Sequence, residues 1–417
     1  MDFTFLGGAR EVGRSSVLLE SKDARMLFDS GIKLTDPTEY PLPVKDVDLL
    51  LLSHAHLDHC GNIPAVHRKG RFPVYGTPVT LELSHILQHD SLKITKLRGY
   101  PAKYTDDDVD RLHGSEIAVD YDENVRFHKK MNFRFIDAGH VPGSAGILVE
   151  TEGKTVFYTG DTKDVETRLL PAGKYPDHAD IVVCESTYGN RMHPDRKDAE
   201  KKMLDEIEDT LARGGIAILP VFAVGRTQEI LLLLKDVGYP IYLDGMSQTA
   251  TQIILRYPHY LKNAMALEQA ANEAVWVKSR RHRKEIVREP GVIVTTAGML
   301  EGGPVLDYIS KLYNDPNSNI ILTGYQVEGT NGRRLVDNGY VIDNESRRKY
   351  KIKMNISKYD FSAHSDQDGL VKIVKDMTPE TVFLGHGDFD SCEVLRHELR
   401  GGGFDIHMPL LGEKISI

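Results

Sequence analysis

Cysteine is scarce in this sequence. The 417 residues contain three cysteines, Cys60, Cys184 and Cys392, which lie far apart and form no CxxC pair. This spacing excludes a disulfide framework and argues against a structural zinc site built on thiolates. We therefore expect the three side chains to be small buried hydrophobic groups.

Long hydrophobic runs are also absent. The longest apolar stretches, such as VDLLLL and EILLLLK, fall far short of the roughly 20 residues that span a bilayer. The opening MDFTFLGGAREVG lacks the pattern of a secretory signal, so we expect a cytoplasmic protein without membrane contact. A chain of 417 residues can bury a core without a metal staple, so any bound metal should serve function.

The charge is acidic overall but unevenly distributed. The formal net charge is −9, yet residues 190–350 carry 22 Lys and Arg against 21 Asp and Glu. The densest basic stretch, KSRRHRKEIVR at 278–288, lies in this middle part. Such a run is usually a solvated helix face, so alone it is weak support for nucleic-acid binding.

The pattern of apolar runs changes twice along the chain. Residues 1–190 and 351–417 contain short strand-like runs, such as RMLFD and TVFLG, broken by turns. Between them, residues 191–350 alternate helix-like and strand-like stretches, which indicates a parallel α/β layer. The sequence therefore predicts an α/β protein in which a middle domain, 191–350, is inserted into a first domain formed by 1–190 and 351–417.

The stretch SHAHLDHC at 53–60 concentrates side chains that bind metals. His54 and His56, two residues apart at a strand end, would point the same way, and Asp58 and His59 beyond the turn could face a second ion. Imidazole and carboxylate groups suit zinc and similar divalent ions. The alternative interpretation is a histidine-rich polar loop without a metal.

Three more candidate ligands end apolar runs elsewhere in the chain. FRFIDAGH ends in His140, KTVFYTGD in Asp161 and TVFLGH in His386. Sites in open sheets form at strand ends, where loops vary without disturbing the core. Because three independent segments share this placement, the pattern favours a metal site over three unrelated loop residues.

The motif HAHLDH resembles the signature of the metallo-β-lactamase superfamily, whose fold is a four-layer αββα sandwich. The resemblance implies two Zn²⁺ ions per chain. The ligands implied for the first ion are His54, His56 and His140. Those implied for the second ion are Asp58 and His59. Asp161 would bridge both ions, and Asp29, which ends RMLFD, would be a buried carboxylate that orients the ligands without binding the metal.

Three further segments, VVCEST, FSAHSD and FLGHGD, resemble the extra motifs of the β-CASP branch of this superfamily. Phrases such as VFAVGRTQEIL and TTAGMLEGGP agree, so the resemblance covers essentially the whole chain. It is strongest to the short archaeal and bacterial ribonucleases, without KH domains, that are related to the cleavage and polyadenylation endonuclease. His386 occupies the third extra motif, where RNA-directed members have histidine, and would complete the second metal site.

The resemblance implies a zinc-dependent ribonuclease that hydrolyses single-stranded RNA in RNA processing or decay. A hydroxide bridging the two metal ions would attack the phosphate, leaving a 5′-phosphate and a 3′-hydroxyl. His364 would protonate the leaving oxygen with Glu185 as its orienting partner, and Asp58 would share in catalysis. The candidate contacts for RNA phosphates are Arg226, Arg333 and Arg334.

Several alternatives stay open. The arginines could be ordinary surface residues, and the chain could degrade RNA from a 5′ end, as ribonuclease J does, instead of cutting internally as we favour. A small-molecule metallohydrolase would not explain the inserted domain. A non-catalytic scaffold for RNA processing would be expected to lose metal ligands that this chain keeps. Analogy with relatives suggests a homodimer through 404–417 and other processing or decay factors as partners.

Two patterns are set aside. GAREVGRS at 8–15 nearly matches a phosphate-binding P-loop, but SSVLLES after it is strand-like where a helix is required, so we reject an ATPase. His85 and His89 lie four residues apart in the helical stretch TPVTLELSHILQHDSLKI and could pair on a metal. Without an HExxH context, we expect them to be surface or packing residues.

Overall fold

The computed structural model describes residues 1–343 and 346–417, which form two compact units. The first unit comprises Met1–Glu166, Pro171–Met192 and Ala363–Ile417. The second unit comprises Thr167–Leu170 and His193–Ser362. Each unit has its own sheet structure and its own hydrophobic cores.

Before the second unit, the chain of the first unit forms strands of two sheets. The first sheet contains β1 (Asp2–Gly7), β2 (Ser16–Glu20), β3 (Arg25–Phe28), β4 (Leu49–Leu51), β5 (Val74–Gly76) and β6 (Glu116–Ala118). The second sheet contains β7 (Val125–His128), β8 (Met131–Asp137), β9 (Ala145–Thr151), β10 (Lys154–Tyr158) and β11 (Ile181–Glu185). Strands β3 to β6 run parallel, so their carboxyl ends meet at one edge.

Four helices of the first unit lie along this part of the chain. They are α1 (Leu57–Cys60), α2 (Ile63–Gly70), α3 (Pro78–Leu97) and α4 (Asp106–His113). Helix α3 begins after Thr77, whose side chain accepts a hydrogen bond from the Thr80 backbone N–H, and Pro78 suits the first helical position. Helix α4 begins with a capping box between Thr105 and Asp108. Local sequence therefore fixes where both helices start.

The second unit is built on a six-stranded parallel sheet of order β14-β13-β15-β12-β16-β19 beside a two-stranded ribbon, β17-β18. The strands are β12 (Ile216–Pro220), β13 (Ile241–Asp244), β14 (Val275–Trp276), β15 (Gly291–Thr295), β16 (Asn319–Leu322), β17 (Tyr340–Ile342), β18 (Lys349–Lys351) and β19 (Asn355–Lys358). The helices are α5 (Arg196–Ala212), α6 (Arg226–Leu234), α7 (Met246–Leu255), a 3₁₀ turn (Pro258–Tyr260), α8 (Ala264–Glu273), α9 (Arg280–Ile286), α10 (Pro304–Leu312) and α11 (Asn331–Asn338).

After the second unit, the chain returns to complete both sheets of the first. The returning elements are α12 (Gln367–Asp376), β20 (Thr381–Gly385), α13 (Phe389–Leu399), β21 (Asp405–His407) and β22 (Lys414–Ser416). Strand β20 pairs in parallel with β11, and β22 pairs antiparallel with β1. The sheets then have the orders β22-β1-β2-β3-β4-β5-β6 and β21-β20-β11-β10-β9-β8-β7.

The first unit has four layers because each sheet buries both faces. On β3, Met26 and Phe28 lie in the core between the two sheets, whereas Leu27 points to the opposite face and packs with residues of α1 to α4. On the second sheet, Phe157 and Val182 similarly face α12 and α13. The resulting order, helices, sheet, sheet, helices, is the predicted αββα sandwich.

The structure confirms the predicted fold class, an α/β sandwich with an inserted α/β domain. The three cysteines are buried and free, as predicted. The second unit extends to Ser362, beyond the expected boundary at 350, because β19 pairs in parallel with β16 at the edge of the second unit's sheet. Within 1–343 and 346–417, no helix combines the length and apolar character needed to cross a membrane.

Replacing Asp244 tests a buried network of the second unit. Its carboxylate accepts hydrogen bonds from Arg283 Nε at 2.6 Å and from the Tyr308 hydroxyl at 2.7 Å. We expect Asp244→Ala to lower the free energy of unfolding by about 3 kcal/mol, because the mostly buried guanidinium loses its counter-charge. Tyr308→Phe removes one hydrogen bond and should cost about 1 kcal/mol. Urea denaturation measures both values, and equal losses would show that the Arg283 ion pair adds nothing beyond a single hydrogen bond.

Candidate metal centre

The candidate ligands lie just beyond strand ends of both sheets in the first unit. Strand β4 ends at Leu51, three residues before His54, and β10 ends at Tyr158, three residues before Asp161. His386 follows the last residue of β20 directly. The side chains of His54, Asp161 and His386 are almost completely buried.

A first group of donor atoms is formed by three imidazoles and one carboxylate. His56 Nδ1 lies 3.2 Å from His54 Nε2 and 3.1 Å from His140 Nε2. Asp161 Oδ2 is 3.6 Å from the Nε2 atoms of both His54 and His140. Four donors around a tetrahedral ion with bonds of about 2.0–2.2 Å would be separated by about 3.3–3.6 Å. The first group therefore fits a divalent cation.

A second group lies on the other side of Asp161. Its Oδ1 atom is 3.2 Å from His59 Nε2 and 3.1 Å from His386 Nδ1. Asp58 Oδ2 is 3.3 Å from His386 Nε2. Asp58, His59 and His386 each offer a donor atom within 4.8 Å of the others. The two oxygens of Asp161 thus face two different groups, as a carboxylate that bridges two ions must.

Asp29 orients the second group from behind. Its Oδ2 atom accepts hydrogen bonds from His59 Nδ1 at 2.7 Å, the Ser53 hydroxyl at 2.7 Å and the Tyr158 hydroxyl at 2.8 Å. Its Oδ1 atom accepts one from the Ser53 backbone N–H at 2.7 Å. Because His59 Nδ1 donates to this carboxylate, the ring is fixed with its Nε2 atom facing Asp161.

Hydrogen bonds also direct the imidazoles of the first group. His140 Nδ1 donates to the backbone carbonyl of Ala363 at 2.9 Å, which leaves Nε2 for the centre. The Ser53 hydroxyl lies 3.1 Å from His54 Nδ1 and donates to Asp29, so His54 Nδ1 donates to the hydroxyl in turn. His54 Nε2 therefore carries a lone pair toward the centre.

Burial and nearby charge shift the histidine pKa values in opposite directions in the two groups. Burial lowers the pKa of His54 and of His140 well below the usual value, so both rings are neutral and able to bind a cation. Burial alone would also lower the pKa of His386, but the Asp161 carboxylate raises it to about 10. Asp161 likewise raises the pKa of His59 against the effect of burial. The second group thus has a negative electrostatic potential, which favours the binding of a positively charged metal ion.

His364 and Glu185 form a pair beside the first group. His364 Nδ1 lies 2.9 Å from Glu185 Oε2, and its Nε2 lies 3.9 Å from Asp161 Oδ2. Glu185 also accepts a hydrogen bond from the Thr162 backbone N–H at 2.7 Å, which fixes the carboxylate. Burial lowers the pKa of His364, but the carboxylates of Glu185 and Asp161 outweigh burial and raise it. The ring of His364 is therefore easier to protonate than an ordinary imidazole.

The structure brings most of the predicted site residues together. Those gathered at the centre are Asp29, His54, His56, Asp58, His59, His140, Asp161, Glu185, His364 and His386. The three candidate arginines belong to the second unit. Arg226 is the first residue of α6 and is half-buried, Arg333 is exposed and bonded to Asp337 at 2.7 Å, and Arg334 contacts Asn331 at 3.3 Å.

Three positions that shape the centre were not singled out from the sequence. Ser53 and Tyr158 donate hydrogen bonds to Asp29, and no local sequence pattern predicts these contacts. Gly31 is required by close approach, since a Cβ there would lie 1.7 Å from the Asp58 carbonyl oxygen. Asp29 and His386 themselves have φ values of 56° and 48°, a left-handed conformation that non-glycine residues adopt at a cost.

Three family models match successive parts of the chain. Residues 9–199 match the metallo-beta-lactamase superfamily, residues 227–335 match the Beta-Casp domain, and residues 349–409 match the Zn-dependent metallo-hydrolase RNA specificity domain. The chain therefore belongs to the β-CASP branch of the metallo-β-lactamase superfamily. The family prediction made from the sequence is confirmed.

Individual proteins agree with this assignment. The chain is 38% identical over 431 residues to "Probable RNase MJ4" of Methanocaldococcus jannaschii, covering 100% of both. It is 32% identical over 427 residues to "RNase aCSPSF2" of Saccharolobus solfataricus, covering 99% of this chain and 84% of that protein. A crystal structure of a protein of unknown function from Enterococcus faecalis V583 has the same fold, with a TM-score of 0.62 at 15% identity over 99% of each chain.

Removing the Asp29 carboxylate tests whether it aims His59 at a metal. We expect Asp29→Ala to weaken zinc binding by about 10–100-fold, because the ring of His59 loses the partner that fixes its tautomer. Competition with a chromogenic chelator measures the affinity. Tyr158→Phe is the matched control, since it removes a hydrogen bond to Asp29 but leaves the His59 contact, and its loss should be smaller. Unchanged affinity in a folded Asp29→Ala protein would refute the role.

Proposed function

We propose that the chain is a zinc-dependent ribonuclease that hydrolyses phosphodiester bonds of single-stranded RNA, using the candidate metal centre of the first unit. The observation that carries the proposal is the pair His364 and Glu185, which stands beside the bridging carboxylate of Asp161. A hydrolase that acts on small molecules would not explain the presence of this histidine and glutamate pair. The names of the two archaeal relatives, both RNases, and the RNA specificity domain matched by residues 349–409 support RNA as the substrate.

The proposed metal content is two zinc ions that share Asp161. The proposed ligands of the first ion are His54, His56, His140 and Asp161. The proposed ligands of the second ion are Asp58, His59, His386 and Asp161. Imidazole nitrogen and carboxylate oxygen are common zinc ligands. When bound, such ions make a water molecule nucleophilic at neutral pH and neutralise charge on the phosphate.

The side chains of the protein orient the reacting groups and donate a proton. In the proposed reaction, a water molecule loses one proton to solvent and its oxygen adds to phosphorus, the bond from phosphorus to the 3′-oxygen breaks, and the 3′-oxygen takes a proton from His364. His364 Nε2 faces the centre, while Glu185 holds Nδ1 and stabilises the protonated ring, so His364 is the proposed donor. Asp58, at the edge of the second group and 30% exposed, is the carboxylate proposed to share in catalysis.

Phosphate contacts are proposed for Arg226, Arg333 and Arg334 of the second unit. A guanidinium group can bind a phosphate through two parallel hydrogen bonds. Arg333 is the most exposed of the three, but its bond to Asp337 has to open before it can bind a phosphate. Arg226 and Arg334 are half-buried and therefore held more firmly.

One experiment tests the reaction, its acid and its cleavage mode. Single-stranded RNA labelled at either end is incubated with wild type, His364→Ala and the surface control His128→Ala, before and after chelation. We expect zinc-dependent internal cuts, lost on chelation and reduced about 10²–10⁴-fold in His364→Ala because the leaving oxygen lacks its proton donor. Zinc content should be equal in all three proteins.

The outcomes separate the alternatives. Release of 5′ mononucleotides would replace internal cleavage by 5′-to-3′ degradation at the same centre. Full activity in His364→Ala would remove its role as the acid. A metal-loaded wild type that cuts no RNA would favour a non-catalytic processing scaffold.

A homodimer through residues 404–417 is part of the proposal. Leu410 and Leu411 in this segment are 55% and 39% exposed, so apolar area is available for a contact. We expect light scattering after size exclusion to give twice the chain mass for wild type and the chain mass for a Leu410→Asp, Leu411→Asp double variant. A monomeric wild type would refute the dimer.

A further inference from the structure

A second kind of histidine cluster lies on the outer helices of the first unit. His85 and His89, one turn apart on α3, share a face with Asp110 of α4. His89 Nε2 lies 3.2 Å from His85 Nε2 and 2.9 Å from Asp110 Oδ1, and His85 Nε2 lies 3.0 Å from the same oxygen. Three donor atoms of metal-binding type therefore meet at one point.

These spacings suit a bound ion. Around a tetrahedral ion with ligand bonds of about 2.0–2.2 Å, neighbouring donor atoms lie about 3.3–3.6 Å apart. The observed 2.9–3.2 Å separations need shifts of only a few tenths of an ångström in side chains that are 27–61% exposed. Both Nε2 atoms also lie within 3.0 Å of the same Asp110 oxygen, so the three candidate ligand atoms converge on one small volume.

The surroundings orient the ring of His89 as a metal site requires. His89 Nδ1 lies 2.9 Å from Asp106 Oδ1, so this nitrogen donates to the carboxylate and Nε2 is left for the cluster. Lys96 in turn holds the other Asp106 oxygen at 2.7 Å. The ring of His113 stacks on His85 with 4.3 Å between centroids. A carboxylate behind a histidine, as Asp106 stands behind His89, is the usual support of a metal-binding imidazole.

We propose that His85, His89 and Asp110 form an additional, solvent-open site for a divalent transition metal, with zinc as the expected ion. Two imidazoles and one carboxylate suit zinc, and solvent would complete the coordination because Asp110 is largely exposed. The ion would join α3 to α4. Gln88, next to His89, donates a hydrogen bond to the Cys60 carbonyl of α1 at 2.9 Å, so the joined helices lie against the element that carries Asp58 and His59.

The test compares the number of zinc ions per chain in wild type with the number in variants of the proposed site. Wild type, His89→Ala, Asp110→Asn and the control His128→Ala are equilibrated at the same micromolar free zinc, and metal per chain is measured by elemental analysis. We expect His89→Ala and Asp110→Asn each to hold one zinc fewer than wild type, while the control matches wild type. Cleavage of RNA should be the same in all four proteins, because none of these residues belongs to the candidate metal centre.

The difference in zinc content between wild type and the variants does not depend on how many ions the candidate metal centre binds. If the proposed function is wrong, the zinc content of every protein changes equally and the difference stays the same. Equal zinc counts in wild type and His89→Ala would overturn the site and leave only the hydrogen bonds between Asp110 and the two histidines. A zinc lost in His89→Ala but retained in Asp110→Asn would overturn Asp110 as a ligand. Circular dichroism confirms that each surface variant is folded before its metal is counted.

Discussion

Asp161 places one carboxylate oxygen against each of two groups of donor atoms, and this arrangement makes a single centre out of residues from both sheets. A buried carboxylate is costly unless its charge is balanced. Around Asp161 the balance has to come from neighbouring rings or from bound cations. The other contacts at the centre, including those of Asp29 and of the Ala363 carbonyl, orient imidazole Nε2 atoms toward this carboxylate.

The sandwich makes that geometry stiff. Parallel strands of each sheet end at the same edge, so short loops suffice to carry the ligands. Close packing at this edge explains Gly31, whose missing side chain lets the backbone of Asp58 and His59 in α1 approach. The positive φ angles of Asp29 and His386 show that the backbone accepts strain to hold these side chains in place.

The ligands could be predicted from the sequence because their signals are local. HAHLDH places four donor side chains within six residues, and His140, Asp161 and His386 follow recognisable strands. The tautomers of the histidines could not be predicted from the sequence, since they depend on hydrogen bonds from Ser53 and Tyr158 to Asp29. The extension of the second unit to Ser362 rests on the pairing of β19 with β16, which joins strands far apart in the sequence. The partner of His85 and His89 was missed because Asp110 comes from another helix.

The first unit is interrupted in sequence by most of the second, and this order governs when the centre can exist during synthesis on the ribosome. A nascent chain that has reached Ser362 already holds the donors from Asp29 to Glu185 but has neither His364 nor His386. Strand β20, which carries His386 to its place beside β11, is made later still. The proposed ribonuclease therefore stays inactive toward RNA while its own message is still being read through the second unit.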